Sequence, residues 1–490
     1  MAEKILEIEK VISNGCGLGR MSDGKIAMVP YVLPGELVSY RIIRQHKDYA
    51  ECLPLDIKNA SPFRTDPLCS HFGQCGGCDF QHATYDFQLT IKNEFLHDQL
   101  SHLLNMHSET HSPQLRVSQA PIPAAGLVSE SDVSNLPYGD SPRHAAGSFN
   151  SRENEFTVIW QGVAGSPKHF HYRQRVRLHI DERGEVGFFR PGSNILEPVS
   201  GCPLASAETG FLIPFLLESV PARRLLDISR ELEILSSPGD NTGLIVFHTR
   251  RKPRAGDLVA ARELLSELIP VKAVVLDTEG ALRQTVCADG NDELTAASII
   301  LPFSAPGGQN AGGYELTYEA GGFSQVNHEL NQVLVNVLID WVRESGAQRV
   351  LDMYCGMGNF SIPLAMLGYK VSGFDQQRSS VRSAEKNSAR YGLDCNFFRS
   401  SAAGGMKILA ERGAKFDLLI IDPPRMGCKE SIPAIIAGDC RWIVYVSCDP
   451  ATLFRDLAMF LEHGFRLQKA AGFDMFPQTR HLETMVMLGR

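Results

Sequence analysis

Hydrophobic and polar positions alternate with a different rhythm in each part of the chain. From Ile5 to about Asn59, short β-branched runs alternate with polar residues and break at glycine-bearing turns: NGCGLGR at 14–20, SDGK at 22–25 and LPGE at 33–36. Period two with tight turns predicts a small β-barrel over residues 1–60. Between 87 and 104 apolar residues recur at helical spacing, and that helix is expected to end near Asn105. From 107 to 166 the chain turns to Ser, Pro, Gly, Asn and His with weak apolar periodicity, the composition of a disordered insertion. Strand-like runs (RVRLHI, GLIVFHT, KAVVLD) return after 167, with a helical stretch at 256–268. They predict an α+β central domain, 61–311, which the insertion interrupts.

Residues 312–490 read differently. A helix over 327–345 precedes the strand RVLDMY, a glycine loop and a helix; then strand VSGFD, helix 381–391, strand FDLLIID, a helix, strand WIVYVS and helix 451–463. Such alternation predicts an α/β, Rossmann-like domain: an open, mostly parallel sheet with helices on both faces and a ligand across the carboxyl ends of its strands.

A length of 490 residues agrees with about three domains. With 43% hydrophobic and 21% charged residues there is no run able to cross a bilayer, and the acid-bearing start MAEKILEIEKVI does not resemble a signal peptide, so a cytoplasmic, monomeric protein is expected. A formal net charge of -8 excludes a protein that grips nucleic acid over its whole surface and leaves room for local basic patches. Twelve cysteines in such a chain should stay reduced, so a tight cluster of them points to metal or catalysis.

Four constellations carry candidate chemistry. In RVLDMYCGMGNFS the strand runs into Gly356-Met357-Gly358, where backbone amides can approach a ligand closely. The third glycine of a dinucleotide fingerprint is replaced by Ser361. Asp352 at the strand end suits an amino-acid-bearing ligand better than a pyrophosphate, and Asp375, ending the next strand, is placed to accept from ribose hydroxyls. Together they fit S-adenosyl-L-methionine rather than the rival, an iron-sulfur dinucleotide oxidoreductase. Cys448 in VSCDPATLFRD lies between a strand and a helix whose N-terminus is expected to depress its pKa. Cys69, Cys75 and Cys78 form C-x5-C-x2-C with glycines between, and Cys202 in PVSGCPLA is the best fourth ligand; the spacing suits zinc or an iron-sulfur cluster. In HFHYRQRVRLHI at 169–180 strand alternation puts Arg173, Arg175 and Arg177 on one face, a candidate RNA contact; TRRKPRAG at 249–256 reads as a solvated turn.

The segments FSQVN at 323–327, LDMYCGMGNFS at 351–361, IDPPRMG at 421–427, VSCDPATLFRD at 446–456 and FPQTRHLET at 476–484 occur in the order of the RNA 5-methyluridine methyltransferase family, which the chain strongly resembles. The resemblance implies a class I methyltransferase domain and RNA, ribosomal before transfer RNA, as substrate. It assigns Cys448 as nucleophile toward uracil carbon 6 and Glu483 as the base that removes the carbon 5 proton. Gln325, Tyr354, Asp375 and Asp422 are implied as contacts of S-adenosyl-L-methionine, with Asn359 a weaker one; Phe323 and Arg425 are expected close to the reacting base. It also implies a 4Fe-4S cluster on Cys69, Cys75, Cys78 and Cys202, and an OB-like (TRAM) RNA-binding barrel at the N-terminus. Two departures stand out: Asp375 occupies a position where many members carry Glu, and CNFFRSSAAG at 395–404 lacks the Asn or Asp that often follows the third strand.

Overall fold

The computed structural model describes residues 4–106, 115–117, 158–268, 270–278, 283–290, 292, 297–306 and 312–490. The period-two stretch at the N-terminus folds as a six-stranded sheet. Its order is Ile5–Glu7, Leu37–Gln45, Tyr49–Asn59, Ile26–Pro30, Cys16–Arg20, Lys10–Val11. Leu6, Ile8, Ala27, Val29, Val38 and Ala50 alternate inward to make its core. Buried Glu36 accepts from the backbone amides of Leu33 (2.8 Å) and Ser61 (3.1 Å) and from Arg64 Nε (2.6 Å), tying this sheet to the cysteine segment that follows.

The middle of the chain is a seven-stranded sheet in the order Leu196–Pro198, Val186–Phe189, Arg175–Ile180, Ser229–Ser237, Thr242–Thr249, Val271–Asp277, Arg283–Cys287. Its one parallel pair, Thr242–Thr249 with Val271–Asp277, is joined through the helix Ala255–Glu267, as a parallel crossover requires. Helices Ala207–Glu218, Val220–Leu226 and Ala255–Glu267 bury leucines and alanines against one face. Arg175 and Arg177, a candidate RNA contact by alternation, are bound on the other face to the buried carboxylate of Glu233. Half-buried Arg173 directs Nε to the Tyr172 hydroxyl, 3.3 Å. Alternation placed Arg175 and Arg177 on one face, whereas Arg173 lies ahead of the strand; what it did not reveal is the acid on the neighbouring strand that claims the first two.

The C-terminal sheet has nine strands. Within residues 312–490 it runs Asn396–Arg399, Lys370–Asp375, Arg349–Met353, Leu418–Ile421, Trp442–Ser447, Glu483–Gly489, Arg466–Phe473. The first five are parallel and Glu483–Gly489 is antiparallel to both neighbours. The order reverses between Arg349–Met353 and Leu418–Ile421, which opens a crevice beyond their carboxyl ends. Among the described residues no helix is long and apolar enough to cross a membrane.

Two further strands extend this sheet, and both fall inside the stretch whose composition predicts a disordered insertion. Val158–Ala164 pairs in parallel with Arg466–Phe473, and Leu115–Val117 pairs with Val158–Ala164. The expected insertion over 107–166 therefore needs correction at 115–117 and 158–166, whereas 107–114 and 118–157 lie outside the described residues. Local composition misses these strands because their partner, at Lys469 to Phe473, is remote in sequence. Trp160, 1% exposed, packs in the same core as Leu96 and Leu100 of helix Tyr85–Met106. Trp160→Ala is expected to destabilise the protein by about 3–5 kcal/mol, the usual cost of emptying a tryptophan-sized core site, read as a shift of the urea unfolding midpoint.

Candidate active site

The crevice is built on two turns. Strand Arg349–Met353 ends in Tyr354, held at φ 65°, followed by Gly356 at φ 55° and Gly358 at φ 91°. A Cβ on Gly358 would lie 2.7 Å from Ile362, so only glycine lets helix Ser361–Met366 start so close to the strand. Asp352 is wholly buried and accepts from Ser361 Oγ at 2.6 Å. Burial pushes its pKa up to about 7 despite that hydrogen bond, with Asp422 and Asp375 adding repulsion. Asp375 accepts the Gly356 amide (3.1 Å) on one oxygen and the Gln377 amide (2.7 Å) on the other, leaving lone pairs on both; burial raises its pKa too. Asn359 exchanges two amide hydrogen bonds with Asn331 (2.9 and 3.1 Å), so it joins the glycine loop to helix His328–Ser345. Gln325 is buried, Asn327 caps that helix by accepting from the Leu330 amide, and Phe323 between the two domains is 55% exposed.

Along the same edge, strand Trp442–Ser447 pairs with Glu483–Gly489 in a register that ends at Ser447 opposite Thr484. Cys448 follows the last paired residue of one strand and Glu483 begins the other, so both leave the ladder at the same end. The two groups feel each other: burial, then the Glu483 charge, push the Cys448 thiol up to about 11, against the lowering pull of Arg425. The helix Pro450–Glu462 does follow Cys448, yet the expected depression of its pKa is reversed, because the neighbouring carboxylates and burial outweigh the helix dipole. Glu483 is 1% exposed, and burial together with Asp422 holds its carboxyl well above the ordinary range, Arg425 again opposing. Asp422 is likewise raised by burial and by Asp375. Arg425 thus places positive charge beside both candidate catalytic groups.

The loop that carries Asp422 and Arg425 is fastened from below. Buried Asp456 accepts from the Cys428 amide (2.8 Å) and the Tyr445 hydroxyl (2.8 Å) on one oxygen and from Arg455 Nε (2.9 Å) on the other, while Arg455 also donates to the Met426 carbonyl (2.9 Å). Gly427 at φ 75° sits directly over this pair; a Cβ there would lie 2.4 Å from Asp456 Oδ2. Thr452 Oγ1 closes the loop onto the Arg425 carbonyl at 3.0 Å.

The segment leading to Glu483 rests on the cysteine segment. The amides of Asp79 and Phe80, just after Cys78, both donate to the Gln478 carbonyl at 2.9 Å, and Asp79 receives the Arg480 amide (2.9 Å) and its guanidinium (3.1 Å). Gln88 exchanges two hydrogen bonds with Gln478 (2.9 and 3.0 Å), and buried Lys92 binds Asp474 at 2.6 Å. Cys69, Cys75, Cys78 and Cys202 lie close enough that Cys202 raises the other three. Cys69 and Cys202 line one cavity of about 450 Å³. Burial lifts Cys75 to about 11 and Cys78 to about 12; Gln81 Nε2 donates to Cys78 Sγ (3.2 Å) and Arg173 lies beside Cys78 and Cys202. Among the described residues no three His, Cys, Asp or Glu side chains sit close enough to share one ion.

Residues 310–490 match the family described as tRNA (Uracil-5-)-methyltransferase. The chain's C-terminal domain is that of the uracil-5-methyltransferase family. Aligned over nearly its whole length, the chain is 29% identical to the 23S rRNA (uracil(1939)-C(5))-methyltransferase RlmD of Shewanella sediminis, covering 99% of this chain and 96% of that one. It is 27% identical to the Colwellia psychrerythraea protein of the same name, over 98% and 94%. The fold is shared with the Pyrococcus abyssi tRNA (uracil-54, C5)-methyltransferase solved with S-adenosyl-L-homocysteine: TM-score 0.63, 20% identity, 98% and 99% coverage.

The structure thus groups Cys448, Glu483, Asp422 and Arg425 electrostatically, sets Asp375, Asp352 and Tyr354 around the glycine turn, and couples the four cysteines to one another. Sequence reasoning missed His481, whose pKa burial and then Arg425 lower to about 4, and the Asp456 and Asp79 anchors. The FRD triplet of VSCDPATLFRD already contains Arg455 and Asp456, but nothing local marks them as holding a loop near Met426.

The buried acids give a pH test. A carboxyl whose folded pKa exceeds its unfolded value binds its proton more tightly when folded, so its stabilisation is complete below the unfolded pKa and is lost as pH rises through the folded one. Ligand-free protein should therefore lose stability between about pH 4 and about pH 7, the window between the unfolded carboxyl value and that of Asp352. Asp352→Asn should flatten this slope and be more stable than the parent at about pH 8, as read by chemical unfolding across the range.

Proposed function

We propose that this protein transfers a methyl group from S-adenosyl-L-methionine to carbon 5 of a uridine in 23S ribosomal RNA, with Cys448 as nucleophile and Glu483 as base. The observation that carries the reading is that Cys448 and buried Glu483, at the same end of two paired strands, lie close enough for the charge of Glu483 to raise the Cys448 thiol, with Arg425 opposing both shifts. Uracil carbon 5 is a weak nucleophile until a thiolate adds to carbon 6, and its proton must leave once the methyl group is in place. Cys448 Sγ makes the first bond. Glu483 takes the proton, and departure of the thiolate then restores the ring. S-adenosyl-L-methionine supplies an electrophilic methyl on a sulfonium cation. The charge of that cation favours ionised Asp422 and Glu483, which burial alone keeps protonated.

Gln325, Tyr354, Asp375 and Asp422 are the residues we assign to hold S-adenosyl-L-methionine, Asp375 through its free lone pairs on the ribose. Asn359, committed to Asn331, acts by holding the loop. Phe323, exposed at the mouth, is assigned to the target base. Ribosomal RNA is preferred over transfer RNA on the near full-length alignments with proteins named for 23S rRNA. The N-terminal sheet is read as an OB-like RNA-binding barrel, whose strand Leu37–Gln45 presents exposed Arg41 and Arg44 to phosphates. Cys69, Cys75, Cys78 and Cys202 are read as ligands of a 4Fe-4S cluster; the mutual charge coupling of the thiols, the adjacent guanidinium of Arg173 and the donor from Gln81 fit a group bearing negative charge.

Cys448→Ala should abolish both 5-methyluridine and any covalent protein–RNA species, a fall on the order of 10⁴-fold or more in rate. Glu483→Gln should still add and methylate but release slowly, so a denaturant-stable adduct accumulates on gels. Methylation by Cys448→Ala would dismiss the nucleophile assignment. Mapping 5-methyluridine by mass spectrometry in ribosomal and transfer RNA, with and without the protein, decides between the two substrates. Anaerobically purified protein should contain about four irons per chain with equivalent sulfide; stoichiometric zinc in their place would refute the cluster.

A further inference from the structure

The central sheet carries a row of alternating charges that ends on the loop bearing Phe323 and Gln325. From strand to strand it runs Arg177 and Arg175, Glu233, His248, Asp277, Arg283. His248 stands in the middle: Nε2 lies 3.0 Å from Glu233 Oε2 and Nδ1 lies 3.1 Å from Asp277 Oδ2. A carboxylate only accepts, so a ring that satisfies both must carry a proton on each nitrogen. Glu233 in turn pairs with Arg175 and, at 3.0 Å, with Arg177; Asp277 receives Arg283 Nε at 2.8 Å.

The outer arginines reach across to the linking loop. Arg283 NH1 donates to the Ala320 carbonyl at 2.9 Å and Arg175 NH1 to the Gly322 carbonyl at 3.4 Å. Gly321 between them has φ 83°, and a Cβ there would lie 2.5 Å from both terminal nitrogens of Arg283. The Ser324 hydroxyl donates to Tyr318 at 2.9 Å, and Tyr318 is buried beside Arg175 and Glu233. Phe323 and Gln325 alternate with these fastened positions.

We propose that His248, as an imidazolium bridging Glu233 and Asp277, is the positioning residue for Phe323 and Gln325, acting through Arg175 and Arg283 on the carbonyls of Gly322 and Ala320. This rests on the reading that Gln325 contacts S-adenosyl-L-methionine. The groups that set the charge of His248 are those of the row itself, Asp277 and Glu233 raising it and Arg177 lowering it; Tyr318 is the titratable group beside Glu233 and Arg175. Burial works against its proton, and the hydrogen bonds to Asp277 and Glu233 outweigh that, so its pKa is raised. The positioning is complete below the ordinary histidine value and is lost as pH rises through the raised one. A neutral ring can donate to only one of the two carboxylates, so the other keeps its arginine but loses the imidazolium that fixes where that arginine is held.

Two variants and two readouts test this. His248→Gln can donate to only one carboxylate. Arg283→Lys keeps the charge toward Asp277 but loses the fork that also reaches Ala320. Calorimetric titration with S-adenosyl-L-methionine should show affinity weakened three- to tenfold, on the order of one lost hydrogen bond, in both variants at equal unfolding midpoint. The ratio of the parent's affinity to that of His248→Gln should fall as pH rises through the raised histidine value, the pH dependence set by the buried acids of the crevice being common to both. Independently of any ligand, a Phe323→Trp reporter should lose fluorescence anisotropy when His248→Gln is added. Parental affinity together with an unchanged reporter would overturn the proposal. A reporter that loosens in a protein whose parent fails to bind S-adenosyl-L-methionine would support the positioning role while removing the assignment of Gln325. If His248→Gln does not fold, parental affinity and parental pH dependence in Arg283→Lys, at the sheet edge, would overturn it.

Discussion

Six residue pairs, from Trp442 with Gly489 to Ser447 with Thr484, bring the strand end that precedes Cys448 beside the strand that begins at Glu483. Both strands are buried on both faces: Val444, Tyr445 and Val446 on one strand, Met485, Val486 and Leu488 on the other, are essentially inaccessible. A slip of one residue would exchange every side chain between the two cores, so the register is enforced by packing along its whole length. Cys448 follows the last pair and Glu483 precedes it, so both candidate groups leave the ladder at the same end.

That rigidity carries an electrostatic cost, concentrated where the strands end. Asp352, Asp375, Asp422 and Glu483 are gathered within mutual influence in a region where burial alone raises each of them. A core built for stability would not place four acids so, and Arg425 counters only part of the charge. The arrangement matches a ligand bearing positive charge, whose arrival lets the acids ionise in place without any rearrangement of the backbone that holds them. The thiol of Cys448 is held high in the same region, by burial first and by the charge of Glu483 second.

Much of this was legible in the sequence where cause and effect are local. The glycine turn, Asp375 at its strand end and the placement of Cys448 between a strand and a helix each carry their signal within a few residues, and the structure builds them as expected. What stayed hidden is consistently non-local. The strand Val158–Ala164 emerges from a polar, low-complexity stretch and is specified by a partner at Lys469 to Phe473. Arg175 and Arg177 look like an RNA-facing stripe until Glu233 on the adjacent strand is known. The raised thiol of Cys448 follows from its burial and then from Glu483, neither of which the sequence reveals.

The least legible feature is also the one that unites the molecule. Asp79 and Arg480, 401 residues apart, join the cysteine segment to the segment that delivers Glu483. Nearby, Lys92 and Asp474 form a pair buried at 3% and 0% exposure. A buried ion pair is a weak source of stability, since desolvation offsets most of its attraction; its value lies in geometry, because neither partner can be satisfied anywhere else. Lys92 also donates to the Phe476 carbonyl at 3.3 Å, and the Tyr172 hydroxyl to that of Pro477 at 3.1 Å, so consecutive carbonyls ahead of His481 are held by different parts of the chain. The register fixes where Glu483 sits along its strand. These remote polar contacts fix the path by which the chain reaches it, and the four cysteines stand directly behind that path.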